Sequence, residues 1–289
     1  MARDASTQPG YHRCVVEATL DALLARLRPA SARWIVGLSG VQGSGKTTFA
    51  HQLATSAHAR GFPCETLSLD DFYRGRRERQ WLARKVHPLL ATRGVPGTHD
   101  LDLLARTLAA LADASDENPA RVPRFDKGRD TRLPPSRWRR VTRRPRLVLL
   151  EGWCVGVPPQ PARALPRPIN ALERVEDANG VWRRWVNAQL AGAYARLWVR
   201  LDALIVLAAP DFAIVTYWRA GQERMLRERD APRAMDAAAL KRFLMHYERL
   251  SRHALRTLPA RADVCILLRA DRSARAIIGA RRDARLDQR

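Results

Sequence analysis

Gly40, Gly43, Gly45, Lys46 and Thr47 stand in the string G-V-Q-G-S-G-K-T, the G-x-x-x-x-G-K-[ST] spacing of a phosphate-binding loop. The glycines let the backbone curl so that successive N–H groups, from Gly40 through Val41, Gln42, Gly43, Ser44 and Gly45 to Lys46, Thr47 and Thr48, surround one anion. A helix starting there adds its positive end at the same point. Lys46 then reaches the β- and γ-phosphates of a nucleotide, and the Thr47 hydroxyl is a candidate Mg²⁺ ligand. Two carboxylates can complete the chemistry. Asp70 follows the apolar run C-E-T-L-S-L, and Glu151 ends the run R-L-V-L-L-E.

Phosphoryl transfer to an alcohol needs a phosphate cradle, a metal, a group that takes the hydroxyl proton, and positive charge around the transition state. Asp70 is the candidate base, with Asp71 its competitor. Neighbours leaving a strand point in opposite directions, so one of the two faces the site. Glu151 is a candidate metal ligand through water, or a residue that orders the base, and the metal candidates are Thr47, Asp70 and Glu151. Arg219, Arg224 and Arg227 follow the fourth apolar run and could close over the phosphates as a lid across 212–235. A solvated helix face is the equal alternative for each.

These residues need a scaffold. Ile35 to Leu38, Cys64 to Leu69, Arg146 to Trp153, Ala203 to Ala208 and Asp263 to Leu268 are near-continuous apolar runs. Helical patterns lie between them, at His12–Leu27, Thr48–Ala59, Trp182–Leu201, Phe212–Arg229 and Ala237–Leu258, and an arginine-rich helix is expected to close the chain. The pattern predicts an α/β P-loop NTPase fold over 1–289: a mainly parallel five-stranded sheet with helices on both faces. Residues 74–144, between the second and third strands, are rich in arginine and proline and lack strand patterns. They read as a substrate-binding insertion with one helix from Asp100 to Leu111, Thr98 being available as its cap.

The net charge of +22 raises a nucleic-acid reading. Only Lys46, Lys85, Lys127 and Lys241 of the 51 basic residues are lysine, and the arginines are spread along the chain, which favours compositional bias over a binding surface. No apolar run is long enough for a membrane span, the first ten residues lack the apolar core of a secretory signal, and Cys14, Cys64, Cys154 and Cys265 form no C-x-x-C pair. The expectation is a cytoplasmic enzyme without membrane or nucleic-acid partners. Neither N-K-x-D nor T-K-x-D is present for guanine recognition, nor H-E-x-x-H, nor G-x-S-x-G.

The string H-P-L-L-A-T-R-G-V-P-G-T-H-D, His87 to Asp100, resembles the signature segment of D-glycerate 3-kinases, P-loop kinases related to phosphoribulokinase, uridine kinase and pantothenate kinase. The resemblance continues in S-L-D-D-F-Y (Ser68–Tyr73), P-R-F-D-K (Pro123–Lys127), L-E-G-W (Leu150–Trp153), Val186-Asn187 with Leu190 and Tyr194, and Trp218-Arg219 with Gln222-Glu223. It implies ATP- and Mg²⁺-dependent phosphorylation of D-glycerate to 3-phosphoglycerate, with Asp70 as base, Glu151 supporting the metal, and Arg93, His99, Asp100, Asp126 and Lys127 at the substrate. The chain departs from the family pattern at Gly128 to Arg132, so no substrate role is carried to Asp130 or Arg132. It departs again at Ala220-Gly221, where bulkier residues are usual. Kinases of this group act on other small hydroxy acids, sugars and nucleosides, which leaves those acceptors as the enzymatic alternative. A nucleic-acid-binding ATPase is the alternative of another class.

Overall fold

The computed structural model describes residues 11–27, 33–228 and 235–279. Helix α1 (Arg13–Arg26) precedes the first strand, β1 (Trp34–Gly40), whose seven residues are all buried. The phosphate loop leads into α2 (Lys46–Ala59), and β2 (Cys64–Ser68) follows. The segment after β2 holds α3 (Arg76–Lys85), α4 (Leu101–Ala110), and four short strands: β3 (Ala120–Val122), β4 (Phe125–Asp126), β5 (Thr131–Arg132) and β6 (Arg139–Val141). The chain returns to the sheet at β7 (Leu147–Gly152). Beyond it come α5 (Ala171–Glu176), α6 (Val181–Gln189), a π-helical turn (Leu190–Tyr194) and α7 (Ala195–Trp198). Then follow β8 (Ala203–Ala208), α8 (Ala213–Glu228), α9 (Ala237–Thr257), β9 (Val264–Leu268) and β10 (Ala274–Gly279).

The main sheet runs β10-β9-β8-β1-β7-β2, with β10 antiparallel and the other five parallel. The five expected strands are present. The sixth was not expected: Ala274–Gly279 pairs with β9 where a closing helix was predicted, and residues 280–289 lie outside the described chain. The turn explains the reversal. Asp271 accepts the Ser273 backbone N–H at 2.9 Å and its hydroxyl at 2.6 Å, folding the chain back before Ile277 and Ile278.

Alternating strand residues enter two cores. Leu147 and Leu149 pack with Leu53, Phe49 and Leu20 from α2 and α1, while Val148 and Leu150 pack with Phe72, Trp153 and Tyr247. Burial on both faces is why the strands read as continuous apolar runs. The register sets Glu151 opposite Leu38 of β1 and Ser68 of β2, at the carboxyl end of the central strands.

The segment 74–144 differs from its reading in three ways. It holds α3 as well as α4. The cap of α4 is Asp100, which accepts the Leu103 N–H at 3.0 Å, rather than Thr98. And it contains strands, since β3 pairs with β6, and β4 with β5, as antiparallel ribbons. Strands of two or three residues carry too little alternation to show in a sequence. The long helix expected over Trp182–Leu201 is broken by its π turn, which holds Gly192.

Candidate active site

The phosphate loop is a bed of constrained glycines. Gly43 and Gly45 have φ of 82° and 80°, a region that L side chains rarely adopt. A Cβ on Gly43 would stand 2.7 Å from the Cβ of Trp218, so α8 packs directly on the loop. The Tyr11 hydroxyl donates to the Ser44 carbonyl at 2.5 Å and fixes the loop from the other side. Lys46 opens α2, and Thr47 follows on its first turn. Thr48 lies one residue further along the same turn, and Val41 is buried.

Thr47 Oγ1 donates to Glu151 Oε1 at 3.0 Å. Glu151 shares strand parity with Leu149, so it leaves β7 on the α2 side. Its Oε2 is buried with no protein partner, as are Ser39 Oγ, Ser44 Oγ and both amide atoms of Gln42. Unpaired buried polar atoms around a phosphate loop are what a nucleotide and its metal would satisfy. Among the described residues no cluster of three or more His, Cys, Asp or Glu could hold a metal alone. A hydroxyl, one or two carboxylates and phosphate oxygens are the usual Mg²⁺ donors, and this site offers the protein share of them.

Asp70 and Asp71 lie in a 3₁₀ turn after β2 (Leu69–Phe72) and part there. Asp70 accepts the Lys127 ammonium at 2.6 Å and the Tyr73 hydroxyl at 2.7 Å. Burial works against its charge, but Lys127 and Lys46 offset it and hold the carboxyl well below the usual range. Lys127 in turn is raised, first by Asp70. Asp71 instead accepts the Phe125 backbone N–H at 2.9 Å, which secures β4, and burial pushes its carboxyl up.

The segment 87–100 wraps the far side. Arg93 extends over the Phe125 ring, 5.7 Å from its centroid, and pairs with Asp130. Its carbonyl accepts the Tyr247 hydroxyl at 2.9 Å. A Cβ on Gly94 (φ 130°) would collide with that hydroxyl at 2.0 Å, so only glycine lets α9 pack there. His99 is buried and stacks on Tyr73 at 4.7 Å. Tyr194 Oη accepts the Gly97 N–H at 2.9 Å and is hydrogen-bonded to His99 Nδ1 at 2.6 Å, while Nε2 has no protein partner. Burial lowers the His99 pKa to about 4, so the ring is neutral near neutral pH. The charges of Asp70, Arg93 and Arg219 all act on the buried Tyr247 hydroxyl.

Other predicted residues serve the framework. Asp100 caps α4 and accepts Arg132 at 3.2 Å. Asp126 accepts the Arg129 N–H at 2.9 Å within the β4–β5 turn. Arg219 is held by Gln222 at 2.7 Å and Glu223 at 2.5 Å, and Arg224 is exposed. The Arg227 side chain, and residues 229–234 of the expected lid, lie outside the described residues. Sequence reasoning passed over Tyr73, Tyr194, Tyr247 and Arg79. Tyr73 sits inside S-L-D-D-F-Y and was legible there. Tyr194 closes the Val186–Tyr194 string of the resemblance without a role assigned to it, and Tyr247 lies in no such string.

No family model matches the chain. An uncharacterized kinase of Schizosaccharomyces pombe is 32% identical over 240 residues, 81% of this chain and 85% of that protein. The chloroplastic D-glycerate 3-kinase of Arabidopsis thaliana is 33% identical over 222 residues, 74% of this chain but 46% of that longer protein. The solved structure of a D-glycerate 3-kinase from Cryptococcus neoformans superposes with a TM-score of 0.76 at 23% identity, covering 92% of this chain and 99% of that one, and shares its fold. With the phosphate loop, the strand-end acids and the 87–100 segment in place, the chain belongs to the D-glycerate 3-kinase family of ATP-dependent P-loop kinases.

Proposed function

We propose that the chain transfers the γ-phosphoryl group of ATP to the 3-hydroxyl of D-glycerate, giving 3-phosphoglycerate and ADP. The observation that carries this is the position of Asp70. It is paired with Lys127 at 2.6 Å, an Arg93 guanidinium nitrogen lies 3.5 Å from the Lys127 carbonyl, and the charge of Lys46 in the phosphate loop also acts on its carboxylate, so a proton acceptor joins a phosphate cradle to a cationic pocket. A small carboxylate with a hydroxyl fits that order of charges: carboxylate toward Arg93 and Lys127, hydroxyl toward Asp70, phosphate on Lys46. His99 Nε2 and Asp126 are further candidates for the acceptor's polar groups.

Gly40 to Thr48 hold the phosphates through backbone N–H groups. Thr47 and Glu151, with Asp70 beside them, would hold Mg²⁺, which neutralises charge on the transferring phosphates. Asp70 takes the hydroxyl proton as the new bond forms. Its low basicity suits a loose transition state, in which that proton leaves late. Arg219 on α8, the helix packed against the phosphate loop, is the candidate cation for the closed state. Segment 74–144 is the acceptor-binding part and 212–235 the lid, within one kinase unit spanning 1–289.

The nucleic-acid alternative is motivated by net charge alone, with no recognition motif behind it. Arg79, Arg183 and Arg249 are buried in ion pairs and offer no surface to a polyanion. All four cysteines are free thiols, which suits a reducing compartment such as the cytoplasm. No helix among the described residues is long and apolar enough to cross a membrane. The test is a panel of D-glycerate, other hydroxy acids, sugars, uridine and pantothenate with ATP and Mg²⁺, read by product mass. D-Glycerate should give the highest kcat/KM. A higher value for any other acceptor would overturn the assignment.

A further inference from the structure

Asp130 was left without a role, yet it occupies an unusual position. Among the described residues only Asp130 and Arg272 are non-glycine residues in the left-handed region, Asp130 with φ 55° in the turn from β4 to β5. Asparagine and aspartate tolerate that region better than other side chains. The turn points the carboxylate back at two guanidinium groups, and each oxygen takes a different one. Oδ2 accepts Arg79 and Oδ1 accepts Arg93.

The two arginines are not alike. Arg79 on α3 is 1% exposed, and its other donors go to the Ala91 carbonyl at 3.2 Å and the Arg74 carbonyl at 2.6 Å. It has no direction left for a ligand. Arg93 keeps 27% side-chain exposure. One Nη is on Asp130, and the other reaches the Lys127 carbonyl only at 3.5 Å. Its backbone is fixed by Tyr247 and its guanidinium is backed by Phe125. A long side chain with one exposed cation is thereby held in one pose. An arginine so prepared loses less freedom when it binds an anion.

We propose that Asp130 is a positioning residue that sets the length of acceptor the site takes. With Arg79 fixed behind it, Asp130 holds the Arg93 fork at one distance from Asp70. That distance selects a hydroxy acid whose reacting hydroxyl sits on the carbon β to the carboxylate over one extended by a further carbon. The proposal rests on Arg93 being the carboxylate partner, as in the function proposed above. The competing account is that Asp130 merely ties α3 to the β4–β5 ribbon.

Asp130→Asn separates the two. It keeps shape and turn preference while removing the charge. Initial rates are measured at saturating ATP with D-glycerate and with the four-carbon acid D-erythronate, for parent and variant. The expected result is a tenfold or greater rise in KM for D-glycerate, kcat within threefold, an unchanged KM for ATP, and a tenfold or greater fall in the kcat/KM preference for D-glycerate. A merely structural role lowers the active fraction and moves both acids alike, so an unchanged preference overturns the proposal. If Asp130→Asn does not fold, Asp130→Glu keeps both ion pairs and shifts Arg93 by one methylene. The preference should change there too, and a constant preference again overturns the proposal. Should the parent turn over no D-glycerate, the assigned function and this inference fall together. Should the parent use it with a preference blind to position 130, only this inference falls.

Discussion

The Thr47 hydroxyl donates to the Glu151 carboxylate across 3.0 Å, joining the first turn of α2 to the end of β7. This contact brings the two candidate metal-holding residues together from positions 104 apart in the chain. The unpaired Oε2 of Glu151 is buried beside it. Glu151→Gln keeps the hydrogen bond and removes the charge. The Mg²⁺ concentration giving half-maximal rate should rise at least tenfold, measured by titrating Mg²⁺ at fixed ATP. An unchanged Mg²⁺ requirement would remove Glu151 from the metal site.

Lys46→Ala should lower kcat at least a hundredfold, roughly 3 kcal/mol, because a fixed charge on the transferring phosphoryl group is lost. Steady-state kinetics with D-glycerate measure it. Activity within threefold of the parent would mean that ATP binds elsewhere.

Asp70→Asn and Asp71→Asn should behave differently although they are neighbours. The first removes the proton acceptor and the partner of Lys127, so turnover should collapse while ATP affinity changes little. The second retains an oxygen for the Phe125 N–H, so activity should fall severalfold at most. Equilibrium nucleotide binding beside turnover separates the two effects, and a reversed order would exchange their roles.

Arg93→Gln should raise the KM for D-glycerate tenfold or more, about 1.4 kcal/mol, with the KM for ATP unchanged. Glycerol and the methyl ester of glycerate should be poor substrates for the parent, since both leave the cation unpaired. Equal turnover of glycerol and D-glycerate would show that the carboxylate is not read.

His99 gives a pH dependence of stability. Burial lowers its pKa from 6.5 to about 4, so between those values the unfolded chain binds the proton more readily than the folded one. The contribution is complete above pH 6.5 and is lost as pH falls toward 4, on the order of 3 kcal/mol in full. Chemical denaturation at a series of pH values should show stability rising through that window. His99→Gln should flatten the rise, and an unaltered slope would assign it to other groups, such as buried His246, whose pKa burial also lowers. The Asp70 contribution lies lower still, lost only as pH falls below the ordinary carboxylate range.

The phosphate loop and the acids at strand ends were readable in the sequence because their information is local. Eight residues carry the G-x-x-x-x-G-K-[ST] spacing, and an apolar run ending in Asp70 or Glu151 states its own position in a parallel sheet. The 87–100 string was readable by resemblance. What could not be read is the pairing across the insertion. Arg79 meets Asp130 from 51 residues away, and Arg93 meets it from 37. In a chain so rich in arginine nothing distinguishes these from exposed ones. The choice between Asp70 and Asp71 was open for the same reason. It turns on Lys127 and Phe125, which only folding brings near. The closing strand was missed because its signal is a turn at Asp271 rather than a pattern in the arginines that follow.

The close packing of Gly43 on Trp218 makes the nucleotide loop and α8 one mechanical unit. Trp218 also donates its indole N–H to the Ala270 carbonyl at 2.6 Å, so the same ring reaches the turn that launches β10. The loop, an indole chromophore and the edge of the sheet thus stand in one continuous chain of contacts. The loop cannot accept a side chain at position 43 without displacing the helix that carries Arg219. Trp218, packed on the loop, is the natural optical probe of nucleotide binding there.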